Sequence, residues 1–149
     1  MDPIRAARTV DVVTPPRFAR RASYVVQAVA ALFLAFDAAM KLVPTQEAIE
    51  GSAALGWGPE TLPALGGIAL ACIVLYSIPR TAVLGALLWT GFLGGAVATH
   101  VRVASPLLTH TLFPVYAALL VWGALWLRDE RIRALLPLRA PAERRESAY

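Results

Sequence analysis

The chain has 149 residues, of which 58% are hydrophobic and 16% charged, with a mean hydropathy of +0.59. Soluble domains carry about 25% charged residues, so this composition excludes a disordered tail protein, and the single cysteine, Cys72, excludes a disulfide scaffold. The net charge of +4 does not point to nucleic acid, because the charges gather at the chain ends. From Ala22 to Leu127 the only charged residues are Asp37, Lys41, Glu47, Glu50, Glu60, Arg80 and Arg102. A helix crosses a bilayer with roughly 20 apolar residues, so this stretch has room for four spans in one domain.

Residues 1–21 form a basic tail containing Pro15-Pro16. Span one is expected over about residues 22–43 and ends at Pro44. An uncleaved span fits better than a signal peptide, because about twenty residues precede it and the apolar run continues to Phe36. Residues 45–60 are too polar to span; Ala48, Ile49, Ala53 and Leu55 give them a short apolar face, which predicts an interfacial or re-entrant helix broken by Gly56 and Gly58. Span two is expected over 62–78, followed by a tight turn at Pro79-Arg80. Span three is expected over 81–99, with His100 and Arg102 following it and a loop at Ser105-Pro106. Span four is expected over 111–127, with Pro114 tolerated in its first turn. Residues 128–149 form a charged tail whose beginning reads as an amphipathic helix with Ile132, Leu135, Leu136 and Leu138 toward lipid. The expected fold class is therefore all-α, a four-transmembrane-helix bundle with a short helix between spans one and two.

Basic residues orient the bundle. Twelve arginines fall in the two tails and the Pro79-Arg80 turn, against Lys41 and Arg102 on the other side. Both termini are expected in the cytoplasm and the other two loops outside.

Within the spans, Gly91 and Gly95 form a small-xxx-small pair. The plainer reading is close helix packing inside the bundle; the sharper one is a homodimer face or space for a flat ligand. Cys72 reads as a small buried apolar residue. Tyr76 and Trp126 are expected as interfacial anchors, and Trp89 and Trp122 as packing or lipid-facing residues.

Asp37 is the most informative residue. It lies about five residues, or roughly 7–8 Å, past the centre of span one, inside a hydrocarbon half-thickness of about 15 Å. A lone carboxylate there costs about 2.5–3.5 kcal/mol on insertion scales, so it must be paired, protonated or turned inward. Lys41 stands one turn further on the same face, in the favourable order for an i,i+4 ion pair. Two readings stay open: a structural salt bridge, or a pair that handles a ligand or a proton. The topology puts His100, Arg102 and His110 in the same outward layer. They are either residues of a polar loop or, with Asp37 and Lys41, the lining of a shared pocket. In that pocket histidine would donate or shuttle a proton and arginine would clamp an anionic group. Two histidines ten residues apart across a loop do not form a helix-borne ligand pair, so no metal site is assigned.

The segments DAAMKL at 37–42, SIPRTAVLGALLWTGFLGGAVATHVRV at 77–103 and HTLFPVYAALLVWGALWLRDERIRALLPLR at 110–139 resemble the DoxX-like family of small four-helix membrane proteins. LGWGP at 55–59 is similar to that family's segment between spans one and two, where tyrosine is frequent at the position of Trp57. The family's founding relatives are named for a subunit of a thiosulfate:quinone oxidoreductase, so the resemblance implies a quinone-linked or redox-associated role. The expected ligand is quinone or another small amphipathic molecule, and because the sequence offers no cofactor of its own, electrons would have to come from a partner. The resemblance brings no catalytic residue. Asp37, Lys41, His100, Arg102 and His110 lie within the matching segments and are the binding candidates. The competing expectation is a non-enzymatic accessory or anchoring subunit with a structural polar layer. Expected partners are the lipid bilayer and either a membrane redox protein or further copies of the chain. The expected location is a bacterial cytoplasmic (inner) membrane.

Overall fold

Hydrocarbon offers no partner to a free backbone amide, so a spanning chain satisfies its backbone within helices. The computed structural model, which describes residues 17–135, follows that rule. Its helices are α1 (Arg17–Leu42), α2 (Gln46–Ala54), α3 (Leu62–Ser77), α4 (Ala82–Arg102), α5 (Phe113–Arg128) and α6 (Glu130–Leu135). A 3-10 turn at Pro59–Thr61 leads into α3 and a π-helical turn at Leu107–Thr111 leads into α5. With these turns included, four helices are long and apolar enough to cross a membrane, and the protein is an integral membrane protein. The described residues contain no strand.

The four long helices run up and down in a ring. α1 packs on α3 and α5, and α4 closes the ring against the same two. The buried face of α1 is Ser23, Gln27, Ala30, Leu34 and Ala38, at the three- and four-residue spacing of one helix stripe. Val25, Val29, Leu32 and Phe36 on its other faces are exposed, as a lipid-facing surface requires. The core centres on the fully buried Trp89, with Phe92 edge-on to it at 5.3 Å between ring centroids, and is filled by Leu34, Ala69, Ile73, Val121 and Leu125.

Lipid tails are as apolar as these side chains, so close packing and hydrogen bonds hold such helices together rather than burial from water. Two glycines provide the closest approaches. A Cβ on Gly85 would lie 2.3 Å from the Tyr76 backbone nitrogen, so α4 rests directly on the backbone of α3. A Cβ on Gly66 would lie 2.9 Å from Leu42 Cγ and 3.1 Å from the Ala38 carbonyl, which sets the α1–α3 contact. Gly91 and Gly95 play no such part: nothing lies within 4 Å of a Cβ at either position. The packing role expected of that pair belongs to Gly85 and Gly66.

Hydrogen bonds join the helices at the end that carries the chain termini. Pro79 forces Ile78 out of the helix (ψ 121°) and leaves the last carbonyls of α3 without helical donors. Ser77 Oγ donates to the Ile73 carbonyl at 2.8 Å, Thr81 Oγ1 to Leu75 at 2.8 Å and Gln27 Nε2 to Tyr76 at 2.9 Å. The Gln27 side-chain oxygen in turn accepts from Arg128. Ser23 Oγ donates to the Ala124 carbonyl at 2.7 Å and Tyr76 Oη to the Val121 carbonyl at 3.0 Å. Tyr76 is therefore a core residue tying α3 to α5, not the interfacial anchor expected from its position.

α1 starts at Arg17, earlier than the expected span, and α4 continues through His100 to Arg102, which places both residues on its last turn instead of in a loop. Only the first part of the expected terminal amphipathic helix is seen. In it Ile132 is buried against the bundle core and Leu135 is exposed, so Ile132 does not face lipid. Leu136, Leu138 and the tail residues 1–16 and 136–149 lie outside the described residues.

Candidate functional site

The site at the end of the bundle away from the chain termini is built by three local devices. The first is the end of α1, where Asp37 and Lys41 share a face one turn apart. Lys41 Nζ donates to Asp37 Oδ1 at 2.5 Å, with side-chain exposures of 23% and 40%. The carboxylate expected to need a partner has one, and the pair faces open space instead of being sealed in the core.

The second device is the end of α4. Ala104 takes a left-handed conformation (φ 51°), which L-residues adopt at a cost of about 1–2 kcal/mol. Its N–H donates to Val101 at 3.1 Å and that of Ser105 to His100 at 3.0 Å, the paired bonds of a Schellman stop. The reversal turns Ser105 back on the helix, so that its Oγ lies 3.1 Å from His100 Nδ1. The π-helical turn at Leu107–Thr111 then brings His110 alongside, with 6.0 Å between the two imidazole centroids. Thr109 Oγ1 lies 2.8 Å from His110 Nδ1. Each histidine has one ring nitrogen engaged by a hydroxyl, which leaves Nε2 as the group each can offer a ligand.

The third device is α2, which lines the site from the loop side. Thr45 caps it by accepting from the Ala48 N–H at 3.4 Å, and Gly56 (φ 79°) ends it. A backbone N–H and the Thr45 hydroxyl hold the Glu47 carboxyl below the ordinary carboxylate range. No residue of α2 is buried. A tie to the bundle comes from Arg102, whose Nη2 donates to the Leu55 carbonyl at 2.6 Å.

These devices enclose two adjoining cavities. The larger, about 710 Å³, is lined by Asp37, Lys41, His100 and His110 together with Phe36, Met40, the α2 residues Ala48, Gly51 and Ser52, and Leu55 just beyond α2. The second, about 450 Å³, continues between the helices and is lined by Leu34, Leu65, Gly91, Leu93, Gly95, Ala96 and Ala117, with Trp57 at its α2 side. Phe33, Asp37, Lys41, Ser52, Leu55 and His100 line both, so the second cavity adjoins the larger one. Phe33 and Phe113 meet edge-on at 5.4 Å along its α1–α5 side. Gly91 and Gly95, with nothing near their Cβ positions, open a slot along α4 into this space.

Four of the five sequence candidates thus line one cavity. Arg102 does not: it braces α2 through Leu55. The hydroxyl of Thr109 is expected in this polar layer from its place beside His110, but sequence reasoning missed Ser105, which orients His100. No spacing rule identifies it, because it acts through the Ala104 reversal. Among the described residues no cluster of three or more metal-ligating side chains forms. The donors present, an ammonium and two imidazoles above an apolar slot, fit an oxygen-bearing head with a hydrophobic body. The volumes fall in the ~300–1,000 Å³ range of small-molecule sites.

No curated protein and no solved structure matches the chain. A family model does match, over residues 25–124, which takes in α2, α3 and α4 whole, most of α1 and α5, and every residue lining the two cavities. The chain belongs to the DoxX-like family.

Proposed function

We propose that this protein binds quinone, or another small amphipathic molecule of the bilayer, as a redox-associated membrane subunit. The observation that carries the reading is the adjacency of the two cavities, which share six lining residues. Asp37, Lys41, His100 and His110 stand at one end and the Gly91/Gly95 slot at the other, so a polar head and a hydrophobic body would each meet matching chemistry. Lys41 Nζ and the free histidine nitrogens would donate to ring carbonyls, and Asp37 would hold Lys41 in place. Reduction of a quinone takes up protons with the electrons; the imidazoles are suited to deliver them, and the electrons would come from a partner protein. The concentration of arginines at the terminal end supports cytoplasmic termini and an outward cavity. A helical bundle, in contrast to a barrel, suits a bacterial cytoplasmic membrane.

The test is titration of the purified protein with decylubiquinone, followed by native mass spectrometry. Binding of one molecule per chain, lost in Asp37→Asn and His100→Ala variants that keep the wild-type circular dichroism, supports the site. Equal binding by both variants removes it.

A second reading, an accessory subunit with a structural polar layer, is favoured by one observation: Asp37 and Lys41 already satisfy each other. It predicts that Asp37→Asn lowers thermal stability in detergent, that decylubiquinone does not bind, and that a stoichiometric partner co-purifies.

A further inference from the structure

A second cavity system lies at the opposite end of the bundle. It has a volume of about 470 Å³ and is lined by Arg17, Arg20 and Tyr24 of α1, Pro79, Ala82 and Val83 at the α3–α4 turn, and Leu125, Arg128, Asp129 and Glu130 at the end of α5. From this groove we infer a binding site for the phosphate head of an anionic phospholipid in the leaflet at the terminal end of the bundle.

Three observations converge on it. The first is charge. Arg17 and Arg20 form no ion pair with another described residue. Arg128 is fixed between the Gln27 side-chain oxygen and the Tyr24 ring, 5.4 Å from its centroid. Two carboxylates, Asp129 and Glu130, also line the groove, but the three arginines outnumber them; Asp129 Oδ1 accepts from the Arg131 N–H at 2.9 Å and Glu130 lies 3.9 Å from Arg133. The second is the start of α4, whose first residues Ala82 and Val83 form a wall of the groove and which has no side-chain cap. The positive end of that helix adds to the arginines. The third is position. Arg17 and Arg20 lie in the first turn of a spanning helix and Arg128 in the last turn of another, the depth of phospholipid phosphates. Around them Phe18, Tyr24, Ile78 and Val83 are exposed apolar side chains, a surface for acyl chains that a free anion would not use. Basic pockets between spanning helices recognise anionic headgroups in this way.

The experiment is native mass spectrometry of the full chain in detergent, exposed in parallel to phosphatidylglycerol, phosphatidylcholine of the same chains, and inorganic phosphate. The expected result is retention of phosphatidylglycerol over phosphatidylcholine, with no displacement by inorganic phosphate. An Arg17→Gln/Arg20→Gln variant should retain it about 25-fold more weakly, from about fivefold for each arginine near a headgroup. Arg21→Gln/Arg131→Gln, which removes the same charge from exposed positions outside the groove, should retain it as the wild type does. Equal retention of the two lipids, displacement by inorganic phosphate, or equal loss in both double variants overturns the assignment. Unfolding curves without added lipid establish that the variants are folded. Arg128 is left intact because of its bond to Gln27.

Discussion

Replacing Gly85 by alanine tests the packing of the bundle at its tightest point. The new methyl would lie 2.3 Å from the Tyr76 backbone nitrogen and 2.6 Å from its Cα. Ordinary carbon contacts lie near 3.5–4.0 Å, so α3 and α4 must part by about 1 Å. No flexible side chain can yield, because the atoms met are backbone. Overpacking of a tight core costs about 1–3 kcal/mol, and here the displaced residue carries two inter-helix hydrogen bonds, Tyr76 Oη to Val121 and Gln27 to the Tyr76 carbonyl. A loss of about 2–4 kcal/mol follows. Gly94→Ala is the matched control, since nothing lies within 4 Å of its Cβ position; it should be neutral or stabilising by up to about 1 kcal/mol through helix propensity. Equilibrium unfolding in mixed detergent and dodecyl sulfate micelles measures both. Equal effects of the two substitutions would refute the direct contact of α4 with the α3 backbone.

Tyr76→Phe removes only the hydroxyl bond to Val121 and should lower stability by about 0.5–1.5 kcal/mol in the same assay. Gln27→Ala strands both the Arg128 guanidinium and the Tyr76 carbonyl and should cost more, about 1–3 kcal/mol. Ala104→Gly relieves a left-handed alanine and should raise stability by up to about 1 kcal/mol, read as a higher unfolding midpoint. Arg102→Ala frees the C-terminal end of α2 from the bundle; amide exchange across residues 46–57 should quicken while that of α3 and α4 stays unchanged.

Much of the fold was legible because hydrocarbon thickness and prolines leave few alternatives: Pro44, Pro79 and Pro106 each mark a break near a span end. The gathering of Asp37, Lys41, His100 and His110 followed from alternating helix direction alone. What escaped the sequence depends on three-dimensional register. Gly85 and Gly91 look alike in the string, yet one meets a neighbouring backbone and the other faces open space. Tyr76 stands where interfacial tyrosines stand, but its face of α3 points to α5. Arg102 shares the last turn of α4 with His100, but two residues of helix turn it toward the exposed end of α2 instead of the cavity. Ala104 carries no glycine signal for the reversal it makes, so the positioning of His100 by Ser105 was hidden.

The proposed function requires the adjoining cavities beneath α2 to hold a ligand, and filling them is the most direct test. Gly95→Leu places a branched side chain in the slot along α4, whereas Gly94→Leu adds the same bulk at a position that lines neither cavity. Native mass spectrometry with decylubiquinone should show one bound molecule on the wild type and on Gly94→Leu, and none on Gly95→Leu. Undiminished binding by Gly95→Leu, or no binding by the folded wild type, would contradict the proposed role of the cavity.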